Sequence, residues 1–166
     1  MDKKRERLAR DRILRRLNRL LESLGFTRSK STFFIRRSQH VVEFIHLHKY
    51  SFDPDFRVHL GLRVLGDPFE AVALNGPDSH DAVCRKEYDF HFNESAESIE
   101  RCADSLFRFC AEDGEVWFKS WRNLERLIKH SSSPLGIEAK NALASALQGR
   151  VNEEAIARSY SLLPAS

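Results

Sequence analysis

A chain of 166 residues that is 42% apolar and 31% charged has the size and composition of a single globular domain, with a core large enough to need neither disulfide nor metal. Its first 25 residues carry charges throughout, which argues against a secretion signal, and no run approaches the ~18 continuous apolar residues of a membrane-spanning helix. The net charge of +3 is uneven: residues 1–24 hold nine Lys and Arg against Asp2, Glu6, Asp11 and Glu22, a local +5 that leaves the remainder at −2. That distribution describes a basic helix face on a nearly neutral body, whereas a domain-wide nucleic-acid footprint would spread further.

In chain order, apolar residues at Leu8, Ile13, Leu14, Leu17, Leu20, Leu21 and Leu24 predict a helix with one buried stripe. Gly25 supplies its stop, and Arg28 to Ser31 reads as a turn into a strand over Thr32–Arg37. Residues 1–7 are expected to form a frayed basic arm. Val41–Lys49 has strand propensity on both parities. The face carrying Ile45 and Leu47 is the better core, because burying His46 and His48 costs more than burying Glu43 near the strand start. After a turn around Asp53-Pro54, Phe56, Val58, Leu60, Leu62 and Val64 alternate with Arg57, His59, Gly61 and Arg63, the pattern of a half-buried antiparallel strand.

Residues 67–83 read as a turn-rich loop, and Arg85–Phe92 resumes alternation as a further strand. Asn93 or Ser95 caps a helix with Ile99, Cys102, Ala103, Leu106, Phe107 and Cys110 inside, ended by Gly114. Helices near Ser120–Lys129, over Leu135–Leu147 and from Asn152 to Leu162 or Leu163 complete the chain. The expected fold is α+β: a mostly antiparallel sheet of about four strands, an N-terminal helix and three or four C-terminal helices on the sheet's buried face. One domain spans 1–166, with 131–166 as a helical extension. Cys84, Cys102 and Cys110 cannot all pair and show no close metal-binding spacing, so free thiols in a reducing, cytoplasmic setting are expected.

The elements LLESLGF (Leu20 to Phe26), TFFIRR, VVEFIHLHK and FRVHLGLRV resemble a family of small bacterial domains, the domain-of-unknown-function family numbered 4304, over roughly residues 10 to 130. The resemblance implies an α/β or α+β domain and carries over no catalytic residues. Where such domains often show an amide-containing phrase, this chain has His46 and His48. Small bacterial domains of similar architecture resemble immunity or partner-binding proteins encoded beside toxins, and the likeness implies an immunity-like or stress-related role.

The candidate chemistry centres on the polar sheet face. His46 and His48 share one side of a strand, with His59 across the hairpin and His91 a possible neighbour. Three neutral imidazoles can hold zinc and activate a water, with Asp53 or Asp55 as base. The plainer expectation is a protein-binding face in which Arg57, Arg63, His46, His48 and His59 surround Phe44, extended by Arg36 or Arg37. Asp78, His80 and Asp81 occupy a loop that could carry function. Arg5, Arg12, Arg15, Arg16 and Arg19 lie mostly off the leucine stripe and could meet phosphates or an acidic surface. No P-loop, dinucleotide fingerprint or nucleophile elbow occurs. The leading reading is therefore a nonenzymatic protein-interaction domain without cofactor. A zinc hydrolase using His46, His48 and His59, and a nucleic-acid binder using the first helix, are the alternatives.

Overall fold

The computed structural model describes residues 2–80 and 88–165; Asp81, Cys84 and the first residues of the strand expected over 85–92 lie outside them. Helix α1 (Lys3–Glu22) is capped by Asp2, whose carboxylate accepts from the Lys4 and Arg5 backbone N–H groups at 2.9 Å. The helix thus starts at Lys3, where a frayed arm was expected. It buries Ala9, Ile13, Leu14, Leu17 and Leu21, whereas Leu8 stays half exposed. Gly25, at φ +81°, ends it: Phe26 N–H reaches back to the Leu21 carbonyl at 3.2 Å and Gly25 N–H to that of Glu22 at 3.0 Å. Only glycine adopts that conformation without strain.

Strands β1 (Thr27–Lys30), β2 (Phe33–Arg37), β3 (Val41–Lys49) and β4 (Phe56–Val64) form an antiparallel meander in the order β1-β2-β3-β4. The fold is α+β with four strands, but not the expected four. Thr27–Lys30, read as a turn, is the edge strand β1. It is polar on both sides and held by pairing with β2, so it carries no apolar period to detect. Residues 88–92 form no strand. Their alternation reflects anchors for the core: Phe92 is fully buried, its ring 5.2 Å from that of Phe56 and its N–H on the Pro54 carbonyl at 2.8 Å.

Register fixes the faces. Phe34, Ile45 and Leu60 align across β2, β3 and β4, as do Phe33, His46 and His59 one residue away. The first row, with Leu47, Phe56 and Val58, enters the main core beneath α1 and α2 (Ala96–Phe109). Glu43, the polar residue on this face, is neutralised at its margin: Arg36 bonds it at 2.5 Å and also meets Glu115 at 2.7 Å, with its guanidinium 4.3 Å over the Phe26 ring. Gly114 does not stop the helix. A π-helical turn (Cys110–Gly114) runs from α2 into α3 (Glu115–Ser120), and the break falls at Asn123, whose side chain caps α4 (Leu124–Lys129). Helices α5 (Ile137–Leu147) and α6 (Glu153–Leu162) follow. Cys102 and Cys110 are buried free thiols, and burial pushes Cys110 up to about 12, leaving neither a ready nucleophile. No described helix is long and apolar enough to cross a membrane.

The helices are not confined to one side of the sheet. Part of the second face is covered by a smaller core in which Ile35, Val42 and Phe44 pack with Leu65, Leu163 and Ile156 of the α6 region. Phe44 lies across Gly61 so closely that a Cβ there would stand 2.1 Å from Cζ of the ring. Arg63 shares this covered end and is 3% exposed. Its Nε donates to Ser159 Oγ at 2.8 Å, Nη1 to the Ala71 carbonyl at 2.8 Å, and Nη2 to the carbonyls of Phe69 and Asp67 at 2.9 and 3.1 Å. Phe44 and Arg63 were expected on an open surface. They are structural instead, because α6 and the 67–71 loop close over them.

Arg63→Ala should therefore strand several buried acceptors and cost about 3 kcal/mol. Urea unfolding monitored by tryptophan fluorescence will show this as a lowered midpoint. Arg57→Ala, at a more exposed position on the same strand, should cost about 1 kcal/mol or less.

Candidate functional site

The end of the second face that the described helices leave uncovered is built by register and by one loop. Pairing sets His46 opposite both Phe33 and His59, and His48 opposite Arg57. The Phe33 ring stacks on His46 at 4.2 Å and 22°, and the His46 and His59 rings lie 6.0 Å apart at 19°. Three near-parallel rings thus cross three strands. His48, on the same face and opposite Arg57, meets Tyr50 edge-on at 5.9 Å.

Residues 75–80 join the row because they pair with the outer edge of β4. Leu60 N–H bonds the Pro77 carbonyl at 3.0 Å, Ser79 N–H the Val58 carbonyl at 2.9 Å, and the Asn75 amide exchanges hydrogen bonds with the Leu62 backbone at 2.9 and 2.8 Å. Gly76 is required for this approach: a Cβ would stand 2.4 Å from the Leu60 carbonyl oxygen. Asp78 then receives Arg57 at 2.6 Å and the His80 backbone N–H at 2.6 Å, while His80 Nε2 lies 2.8 Å from the Tyr50 hydroxyl. Asp78 and His80, suspected only as loop residues, belong to the histidine row. Tyr50 and Phe33 also belong to it, and sequence reasoning missed both roles, although the Phe33 parity shared with Ile35 was available once β2 was placed.

Electrostatics favours neutral imidazoles. Burial lowers the pKa of His46 from its usual 6.5, with the charges of His59 and His48 adding to the effect against the Thr32 backbone carbonyl, which favours the protonated ring. Burial likewise lowers His59, reinforced by Arg57 and opposed by Asp78. For Asp78 burial works upward, but the Arg57 hydrogen bond and the His80 N–H outweigh it and hold the carboxyl below its ordinary range. Arg57 is raised by the same hydrogen bond. Asp78 therefore remains ionised and pinned.

The expected zinc set does not assemble. His46 and His59 stack rather than converge, His48 faces Tyr50, and no group of three His, Cys, Asp or Glu side chains among the described residues is placed to hold a metal ion. Asp55 accepts from the Phe56 N–H at 2.8 Å and so serves the hairpin turn, as the Asp53 carbonyl does by accepting from Asp55 N–H. His91 sits exposed in the coil before α2. Nor do Arg36 and Arg37 extend the patch: Arg36 belongs to the carboxylate pair on the opposite face, and Arg37 donates to the Leu163 carbonyl at 2.6 Å. The Asp78–His80–Tyr50 chain also falls short of a triad, since His80 Nδ1 stands 4.0 Å from the Asp78 carboxylate, beyond hydrogen-bond reach. A separate cleft of about 580 Å³ between α5, α6 and the β-hairpin ends, with Leu65, Ala142, Ile156 and Tyr160 on its walls, includes none of the expected site residues. No family model, curated protein or solved structure matches the chain.

The lowered imidazoles have a thermodynamic consequence. The unfolded chain takes up protons near pH 6.5, before the folded one does, so stability is full above that value and declines as pH falls toward the lower folded values. Urea midpoints measured at about pH 7.5 and about pH 5.5 should show this loss, and His46→Phe, which keeps the ring stack, should remove roughly half of it.

Proposed function

We propose that this chain is a nonenzymatic protein-interaction domain that seats a partner on the uncovered end of its sheet, in an immunity-like or stress-related role. The observation that carries the reading is Phe52. It is fully exposed at the tip of the β3–β4 hairpin, on the same hairpin that carries His48, Tyr50 and the His46–His59 pair. The turn that presents it is closed by Tyr50 N–H on the Asp55 carbonyl at 3.2 Å, so the ring is held out by a built hairpin. An aromatic anchor on a rigid support, ringed by half-buried polar groups, has the composition of an interface hot spot.

Each group has a role in this reading. Phe52 inserts into the partner, while His48 and Tyr50 supply adaptable hydrogen bonds at its base. His46 and His59 contribute flat, neutral ring surface that costs little to desolvate. Arg57 is occupied by Asp78, which makes it a brace for the 78–80 segment and a contact only through its outer edge. The partner surface that fits is a shallow apolar pocket rimmed by hydrogen-bond acceptors.

Affinity capture with the tagged chain, followed by calorimetry on the captured polypeptide, tests the assignment. Phe52→Ser should weaken binding by about 2 kcal/mol, roughly 30-fold, with an unchanged melting temperature. His48→Asp should weaken it several-fold. Equal affinity for wild type and Phe52→Ser would remove this surface from consideration, and Ile137→Ser, an exposed apolar residue on α5, provides the control.

A further inference from the structure

On α1, away from the sheet face, Arg12, Arg15, Arg16 and Arg19 line an open groove of about 560 Å³ against α2, floored by Ala96 and Ile99. A second depression, lined by Arg5, Leu8, Ala9 and Arg12 among others, shares Arg12 and Ile99 with it. The two therefore form one seam. From Arg5 to Arg19 this seam runs roughly 21 Å along the helix at about 1.5 Å per residue.

The arginines in the seam fall into two groups. Arg16 bonds Asp104 at 3.1 Å and stands 3.9 Å from Glu100, and Arg5 bonds Glu94 at 3.1 Å; these two stitch α1 to α2. Arg12, Arg15 and Arg19 are exposed and have no carboxylate partner among the described residues, Arg15 donating only to the Asp11 backbone carbonyl at 3.3 Å. Their spacing sets one free guanidinium at about every turn of a single helix face. Cations that fold stability required would be paired as Arg16 is. We propose that this seam binds the phosphodiester backbone of a nucleic acid, with Arg12, Arg15 and Arg19 each engaging a phosphate.

Three features favour phosphates over an acidic protein surface. Every cation in the groove is arginine, whose planar fork grips a phosphate through two parallel bonds. The charges repeat regularly along a line, as a polymer's phosphates do. The groove and the depression that continues it lie open along α1, a shape suited to a strand. It also lacks an exposed aromatic ring for stacking bases, so recognition is of backbone rather than sequence. This seam is distinct from the Phe52 surface, and either assignment can fail without the other.

The test uses the full chain with fluorescein-labelled duplex DNA, duplex RNA and their single strands, read by anisotropy. Three phosphate contacts predict that Kd rises roughly 40-fold between about 50 and about 200 mM salt. The triple variant Arg12→Gln/Arg15→Gln/Arg19→Gln should lose at least about tenfold in affinity at the lower salt and most of the salt slope. The corresponding triple lysine variant should keep the slope and bind more weakly, which separates lost charge from lost fold. Lys119→Gln/Lys140→Gln/Arg150→Gln removes the same charge outside α1 and should bind as wild type does. The DNA and RNA arms identify which nucleic acid is preferred. The proposal is overturned if no strand binds at the lower salt, if the α1 glutamine variant binds like wild type, if the outlying variant loses as much, or if polyglutamate competes as well as nucleic acid at equal charge.

Discussion

The two-faced character of the sheet depends on the register between β3 and β4. Ile45 faces Leu60 and His46 faces His59, so one surface of the hairpin is oil and the other imidazole. A slip of β4 by one residue would exchange them, driving His59, Arg57 and Arg63 into the main core. The apolar row cannot tolerate that exchange, because Ile45, Leu47, Val58 and Leu60 are completely buried. The histidine row is therefore aligned by the core on the reverse side. Its geometry costs nothing that the fold does not already require.

The second face is divided, and the division decides which polar residues can act. At one end Phe44 lies over Gly61 and Arg63 threads carbonyls of the 67–71 loop, with Ser159 of α6 linking Arg63 to the Leu65 carbonyl. A guanidinium buried without a carboxylate is tolerable because its donors meet fixed acceptors. Burial lowers its basicity, with the Asp67 charge opposing and the Arg158 charge adding to the effect. At the other end no described helix arrives, and among the described residues the Phe33–His46–His59 stack stays partly exposed. Arg57 and Arg63 occupy the same parity of one strand and have opposite fates. The packing above each one makes the difference.

Legibility in the sequence followed the same logic. β4 was readable because its faces differ in polarity, and the choice of Ile45 and Leu47 for the core followed from the cost of burying imidazoles. β1 was not readable, since Thr27, Arg28, Ser29 and Lys30 have no apolar side and owe their conformation to a neighbour. Residues 88–92 misled for the converse reason: aromatic residues alternate there because separate rings anchor a coil to the core. Gly114 resembles a helix stop, yet its φ of −62° keeps it helical, and the π-helical turn before it sets Glu115 toward Arg36. Of the residues expected to share the polar face, His46 pairs with His59 and His48 with Arg57 across β3 and β4. Asp78 and His80 could be named only as loop residues, because their arrival beside β4 depends on Asn75 imitating a backbone partner for Leu62 some 13 residues away.

The edges of the sheet bear on where a partner can sit. β4 would present open N–H and C=O groups, but residues 75–79 satisfy its outer edge at Val58, Leu60 and Leu62. β1 is short, irregular in register and charged at Arg28 and Lys30, which is how natural sheets discourage strand addition. A partner extending this sheet would have to displace one barrier or pair with the other. Faces and tips remain, and on the second face α6 already occupies one end. Among the described residues the hairpin tip with Phe52 and the adjoining imidazole row is thus the part of the sheet that stays accessible, which is why a partner is proposed there and not at an edge.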